Sequence, residues 1–168
     1  RPSMGKSALA VNVAVNVAKR GLPVGFFSLE MSDEQIGMRI LADYVDIPVE
    51  KLRKGEWDRT RRDALQELAV HAKDLPLYVD DTGGLSIAQV SARARRLKRK
   101  HGIQLLIVDY LQLMTAGRKT ENRVQDVTAI TMGLKALAKE LGIPVLALSQ
   151  LNRSVDNRED KRPHLADL

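Results

Sequence analysis

The chain has 168 residues, of which 44% are hydrophobic and 29% are charged, and this composition excludes a disordered or fibrous protein. The absence of cysteine excludes disulfide bonds and cysteine-ligated zinc and fits a reducing compartment. No apolar run reaches the roughly 18 residues that span a bilayer, and nothing at the start resembles a signal peptide, so we expect a cytoplasmic protein with no membrane partner. The net charge of +6 favours a polyanionic partner but also fits an ordinary basic protein, and with 4% aromatic residues any nucleic-acid contact should run mainly through phosphates.

Short β-rich runs alternate with helical stretches, which is typical of βαβ units and a parallel sheet. The predicted strands cover residues 24–29, 77–80, 105–109 and 145–149. The last two are almost wholly aliphatic, which predicts burial on both faces. The expected fold class is therefore α/β.

The helices between these strands have readable ends. The first is expected over residues 6–20 with Gly21 as its C-cap, and Ser32 with Gln35 predicts a capping box that opens the second. Ser86 with Gln89 predicts another box. A long helix is predicted over residues 122–141, because apolar residues recur there at spacings of three and four and should direct one face toward the sheet. These apolar residues are Val124, Val127, Ile130, Leu134, Leu137 and Leu141.

The opening RPSMGKSALA contains a candidate phosphate site. MGKS before a helix matches the second half of the pattern GxxxxGK[ST], although the first glycine of that pattern would precede residue 1. Backbone amides at the positive end of the helix attract phosphate. The alternative is a helix N-terminus with an exposed lysine. The residues expected to contact nucleotide here are Ser3, Met4, Gly5, Lys6, Ser7 and Ala8.

Asp109 ends the aliphatic run LLIVD, where ligands of open α/β sheets gather. With the hydroxyl of Ser7, this carboxylate is a candidate Mg²⁺ ligand. The alternative is an aspartate that only caps the loop after its strand.

Hydrolysis of a nucleotide also needs a base near the attacking water, and Tyr110, which follows Asp109, cannot be that base. The stretch FFSLEMS places Glu30 at the end of another strand, and parallel strands end at a common edge, so Glu30 is the candidate base. The alternative is an acid that merely precedes the helix cap at Ser32. Gln150, at the end of the last strand, could sense the γ-phosphate or orient the water.

The stretches MGKS, FSLEMS, IVDYLQLM and LSQLNRSVDNREDKRP, in this order, resemble the RecA-like motor domain of the DnaB family of replicative helicases over residues 1–168. The resemblance implies a P-loop fold with a largely parallel sheet flanked by helices on both faces. It also implies that Lys6 and Ser7 belong to the P-loop, that Glu30 is the catalytic base, that Asp109 is the Walker B acid and that Gln150 senses the γ-phosphate.

The resemblance further implies a hexameric ring that hydrolyses ATP with Mg²⁺ at subunit interfaces, moves along single-stranded DNA and unwinds duplex DNA at replication forks. Primase and a helicase loader are the implied partners. We expect one incomplete RecA-like core, without the strand that precedes the P-loop and without the C-terminal strands and arginine finger. Another RecA-fold ATPase, such as a recombinase or a clock-type enzyme, and a non-catalytic module remain alternatives.

Two basic stretches are candidates for DNA contact. The loop TAGRKTENR predicts contact through Arg118, Lys119 and Arg123, and the alternative is a solvated loop. The run RARRLKRK, residues 93–100, carries more charge. Helical spacing places Arg93, Arg96, Arg99 and Lys100 on the solvent side, which favours a charged helix surface over a DNA site.

Overall fold

The structure is a computed structural model of the chain and describes residues 5–117, 123–150 and 162. Four strands form one parallel sheet in the order β2-β1-β3-β4. All four predicted strands are therefore confirmed, although two end earlier than predicted. The strands are β1 (Val24–Ser28), β2 (Leu77–Asp80), β3 (Leu105–Asp109) and β4 (Val145–Ala147).

The strand register brings the carboxyl ends of β1 and β3 to the same edge of the sheet. Val24 is opposite both Leu77 and Leu105, and Ser28 is opposite Asp109. The pairing continues beyond β1, since the Leu29 N–H donates a hydrogen bond to the Asp109 carbonyl at 2.8 Å. The carboxyl ends of these two strands therefore lie side by side, as predicted for the edge that carries the functional side chains.

Six α-helices occur in the described residues. Two of them lie between the second helix and the second strand: α3 (Val49–Lys54), which has only 6 residues and was not predicted, and α4 (Arg59–His71), for which the stretch GEWDRTRR predicted a helix start. The signal for α4 was Asp58, whose side chain accepts a hydrogen bond from the Arg61 N–H as an N-cap. The helices are α1 (Lys6–Ala18), α2 (Asp33–Tyr44), α3 (Val49–Lys54), α4 (Arg59–His71), α5 (Ile87–His101) and α6 (Arg123–Leu141).

Both predicted capping boxes are present. Ser32 and Gln35 form the box that opens α2, and Ser86 and Gln89 form the box that opens α5. In each case two backbone N–H groups that the helix leaves unpaired find side-chain acceptors. The first helix ends at Ala18, two residues earlier than predicted.

The helices cover both faces of the sheet and enclose two apolar cores. Alternate side chains of each strand point to opposite faces, so Phe26 packs toward α1 and α2, whereas Phe27 packs toward α5 and α6. Both rings are fully buried. Burial of one such side chain stabilises the fold by roughly 1.5–3 kcal/mol. The central strands are therefore held from both sides, which fixes the edge at which they end.

Two expectations about burial are wrong. The last strand is not buried on both faces, because Leu146 and Ala147 are exposed at the outer position of the described sheet. The buried stripe of α6 does not include Val124, which is 69% exposed, whereas Ile130, Leu134 and Leu137 are buried as predicted. No helix in the described parts of the chain combines the length and apolar character needed to cross a membrane.

Candidate active site

Lys6 is the first residue of α1. Gly5 precedes it as the N-cap with φ 83°, a left-handed conformation that glycine adopts without steric cost. One face of the same helix packs into the core through small buried residues such as Ala10 and Ala14. The turn and the packing together present Lys6 and the free N–H groups of the first helical turn at one end of the sheet.

Asp109 is the last residue of β3 and one of only two polar residues among the buried side chains of the described chain. Its Oδ1 lies 3.3 Å from the Lys6 Nζ. The contact is an ion pair rather than a hydrogen bond, because this oxygen accepts no hydrogen bond from any described residue. A buried carboxylate oxygen with no hydrogen bond is costly, and it is a ready acceptor for a further cation or for water.

Tyr110 provides a second contact for Lys6. The Lys6 Nζ lies 3.6 Å from the centroid of the Tyr110 ring, within the range of a cation–π interaction. The peptide bond between Asp109 and Tyr110 is cis. Tyr110 was predicted only not to be the base, and no sequence pattern indicated its contact with Lys6.

Glu30 follows directly after the extended end of β1. The residue before it, Leu29, is hydrogen-bonded to the Asp109 backbone, so Glu30 emerges at the same edge as Asp109. Its side chain is exposed, and it forms no ion pair or hydrogen bond within the described residues. The capping of α2 is completed by Ser32 with Gln35 and does not use Glu30. The carboxylate is therefore available to a ligand.

Gln150 follows β4 at this edge. The side-chain amide of Gln112 makes two hydrogen bonds to the Gln150 backbone and a third to the Ser149 hydroxyl. The side-chain amide of Gln150 itself makes no hydrogen bond in the described part of the chain. The structure thus brings Lys6, Asp109, the backbone of Glu30 and the backbone of Gln150 to one edge.

Oxygen ligands at this edge fit a magnesium ion better than a transition metal. The described residues contain no group of three or more His, Cys, Asp or Glu side chains that could hold a metal by themselves. Mg²⁺ is typically held by one or two protein oxygens together with phosphates and waters. The Ser7 hydroxyl and the Asp109 Oδ1, which accepts no hydrogen bond from the described residues, are oxygen ligands of that kind.

Ser3, Met4, Arg118 and Lys119 lie outside the described residues. Arg123 begins α6, but only its backbone is described.

The basic run on α5 is a charged helix surface, as predicted. Arg93 pairs with Asp80 and Arg95 pairs with Glu140, at shortest distances of 2.7 and 2.6 Å. The carboxylate of Glu140 and the guanidinium of Arg95 favour each other's charged forms, so the pKa of Glu140 is lowered and that of Arg95 is raised. These two arginines hold neighbouring elements together.

A parallel sheet covered on both faces, a glycine–lysine turn at the start of a helix and a buried aspartate at the adjacent strand end define a P-loop fold of the RecA-like class. The chain belongs to the DnaB-like helicase C-terminal domain family, whose model matches residues 1–168. The predicted fold class and family are confirmed.

Relatives and solved structures agree with this assignment. The chain is 48% identical to the replicative DNA helicase DnaB of Rickettsia bellii (strain RML369-C), and the match covers the whole chain but only 36% of that relative. It is 45% identical to the replicative DNA helicase DnaB of Nostoc sp. (strain PCC 7120 / SAG 25.82 / UTEX 2576), and this match covers the whole chain and 19% of the relative. It matches 41% of a solved DnaB-like replicative helicase described with its primase interactions, and 60% of a second solved structure, which is described as an ATPase domain. Each structural match has a TM-score of 0.90, 32% identity and 99% coverage of this chain.

Proposed function

We propose that this chain is the ATP-hydrolysing motor of a replicative DNA helicase, and that ATP with Mg²⁺ binds at the edge formed by Lys6 and Asp109. The 3.3 Å contact between these two residues is the observation that carries the proposal. It brings the cation of a glycine–lysine turn and the buried acid of a strand end together from distant parts of the sequence. A helix N-terminus with an unrelated lysine would not require this convergence.

Each side chain at this edge has a role that fits its chemistry. The ammonium of Lys6 and the first-turn N–H groups of α1, including those of Ser7 and Ala8, bind phosphate oxygens. Glu30 accepts a proton from the attacking water, because its carboxylate lies at the same edge and pairs with none of the described residues. The amide of Gln150 orients that water or contacts the γ-phosphate. Ser7 and Asp109 would hold Mg²⁺, which neutralises charge on the phosphates when bound.

The remaining parts of the proposal concern the assembled protein. The chain spans 36% of the length of the Rickettsia bellii relative, so its partners are inferred from the family. We propose a hexameric ring that moves along single-stranded DNA in the cytoplasm and engages primase and a helicase loader. Arg118, Lys119 and Arg123 are proposed DNA contacts, since they follow the Asp109 strand in the sequence and carry positive charge.

Two other functions give different results in simple assays. A recombinase or clock-type ATPase would form filaments or phosphorylate protein without unwinding DNA, and membership of the DnaB-like family favours the helicase over both. A non-catalytic module would bind nucleotide without turning it over. Hydrolysis measured together with unwinding therefore separates the three classes.

The experiment that tests the proposal is ATP hydrolysis and forked-duplex unwinding by the full natural chain. Lys6→Ala should reduce hydrolysis by about 100-fold or more and abolish unwinding, because a positioned cation on the transferring phosphate is lost. Lys19→Ala, at the opposite end of the same helix, is the matched control and should hydrolyse normally. Hydrolysis without unwinding by the unmodified chain would favour another RecA-fold ATPase, and absence of both activities would contradict the proposal.

A further inference from the structure

We propose that Gln112 is a positioning residue that fixes Gln150 for its role in hydrolysis. This inference rests on the proposed function, because it assigns a task to a residue that acts through Gln150. No role for Gln112 was predicted from the sequence, although this residue lies in the stretch IVDYLQLM.

Gln112 is clamped to the end of the last strand by three hydrogen bonds. Its Nε2 donates to the Ser149 Oγ at 2.7 Å and to the Gln150 carbonyl at 2.9 Å. The Gln150 N–H donates to the Gln112 Oε1 at 3.1 Å. The side-chain amide of Gln112 thus pairs with both the backbone N–H and the backbone carbonyl of Gln150.

The chemistry of the partners permits only one orientation of this amide. The Gln150 N–H can only donate, so it must face the Gln112 oxygen, and the Gln150 carbonyl can only accept, so it must face the Gln112 nitrogen. A flipped amide would lose both bonds and set like groups against each other. The clamp is therefore specific for a carboxamide of this length.

The position of Gln112 follows from the way the main chain leaves β3. The Leu148 N–H donates to the Val108 carbonyl, and the Leu111 N–H donates to the Leu148 carbonyl, both at 2.9 Å. The chain then turns through a short 3₁₀ helix, Leu111–Leu113, and no longer runs beside the segment that follows β4. The amide of Gln112 continues the pairing at the residue where the backbone ceases to provide it.

The clamp holds the backbone of Gln150 and leaves its side chain available. That side-chain amide forms no hydrogen bond in the described part of the chain. Loss of the clamp should let the segment 149–150 move and misplace the amide relative to the reacting phosphate. A displacement of about 1 Å can cost on the order of 100-fold in rate. Nucleotide affinity should change little, because Lys6 and the start of α1 carry most of the phosphate binding.

The test is a double-mutant cycle on the full natural chain with ATP and Mg²⁺. Gln112→Met keeps the length of the side chain but removes the donor and the acceptor, and it should lower kcat about tenfold with KM changed less than about twofold. Gln150→Ala should lower kcat at least as much. The double variant should be no slower than Gln150→Ala alone. Gln104→Met, an exposed glutamine before β3, is the matched control and should match the unmodified chain.

A second variant covers a failure of Gln112→Met to fold. Gln112→Glu keeps the acceptor for the Gln150 N–H but places a carboxylate oxygen against the Gln150 carbonyl, so kcat should again fall. The inference is overturned if Gln112→Met turns over normally while Gln150→Ala is impaired, or if the two substitutions reduce kcat independently. If Gln150→Ala itself has no effect, the proposed role of Gln150 fails, which is a distinct result.

Discussion

Lys6 is held between a carboxylate and an aromatic ring: its Nζ lies 3.3 Å from the Asp109 Oδ1 and 3.6 Å from the centroid of the Tyr110 ring. The side chain of Asp109 is only 2% exposed, whereas that of Lys6 is 27% exposed. The lysine is thus the cation that balances a buried carboxylate. The same residue that is proposed to bind phosphate therefore also stabilises the end of β3.

This pairing predicts that removing the lysine costs stability. Lys6→Met leaves the Asp109 carboxylate buried without a counter-charge, and we expect the free energy of unfolding to fall by about 1–3 kcal/mol after allowance for the partial exposure of the lysine. Adding Asp109→Asn should recover more than half of that loss. Urea unfolding followed by circular dichroism measures both. Simple additivity of the two single losses would show that the contact contributes nothing.

The contact between Asp80 and Arg93 predicts a loss of stability in acid. Burial by itself raises the pKa of Asp80. The hydrogen bonds from Arg93 and Thr82 and the charge of Arg93 together outweigh this effect, so the pKa of Asp80 lies below its ordinary value of 3.8. A folded-state pKa below the unfolded value means that the contribution is fully present above 3.8 and is lost as the pH falls through the folded pKa. Unfolding free energies measured from neutral pH to pH 3 should show this decline.

The matched pair for this test is Arg93→Leu and Arg96→Leu. The first removes both hydrogen bonds to the Asp80 carboxylate, at 2.7 and 2.8 Å, and should flatten the acid dependence. The second removes an exposed arginine of the same helix that has no ion pair within the described residues, and should leave the dependence unchanged. Equal curves for both variants would contradict the assignment to Asp80.

A close approach of α5 and α6 predicts opposite effects for two glycine substitutions. A Cβ added at Gly133 would overlap the Ile87 side chain, whereas one added at Gly37 would meet no atom within 4 Å. Gly133→Ala should therefore destabilise the fold by about 1–3 kcal/mol through overpacking. Gly37→Ala should stabilise it by about 0.5–1 kcal/mol, because alanine loses less backbone entropy in a helix. Thermal unfolding of both variants checks the signs, and two shifts in the same direction would contradict the packing.

Much of the site could be predicted because parallel strands share one edge. The end of each strand is marked by an aliphatic run followed by a polar residue, so Glu30, Asp109 and Gln150 could be placed together without knowing the strand order. Capping boxes were equally predictable, since Ser86 and Gln89 interact within one helical turn. These features depend on local sequence and on a rule that holds for any parallel sheet.

The features that were missed depend on contacts between distant segments. Gln112 meets Gln150 only because the chain turns directly after β3. The ring of Tyr110 meets Lys6 across more than half of the sequence. The exposure of Leu146 depends on which strand occupies the outer position of the described sheet, and an aliphatic run cannot indicate this. Single-sequence patterns report hydrophobicity and spacing, not these pairings.

The central claim is that the catalytic base is Glu30, which follows β1, the strand next to the one that ends in Asp109. The substitution Glu30→Gln in the full natural chain tests this claim most directly. We expect this variant to bind ATP with normal affinity and to hydrolyse it at least about 100-fold more slowly, because the amide cannot accept the proton. Glu34→Gln, in the first turn of α2, is the matched control and should hydrolyse at the normal rate. Normal turnover by Glu30→Gln, together with an inactive Asp109→Asn, would contradict the account.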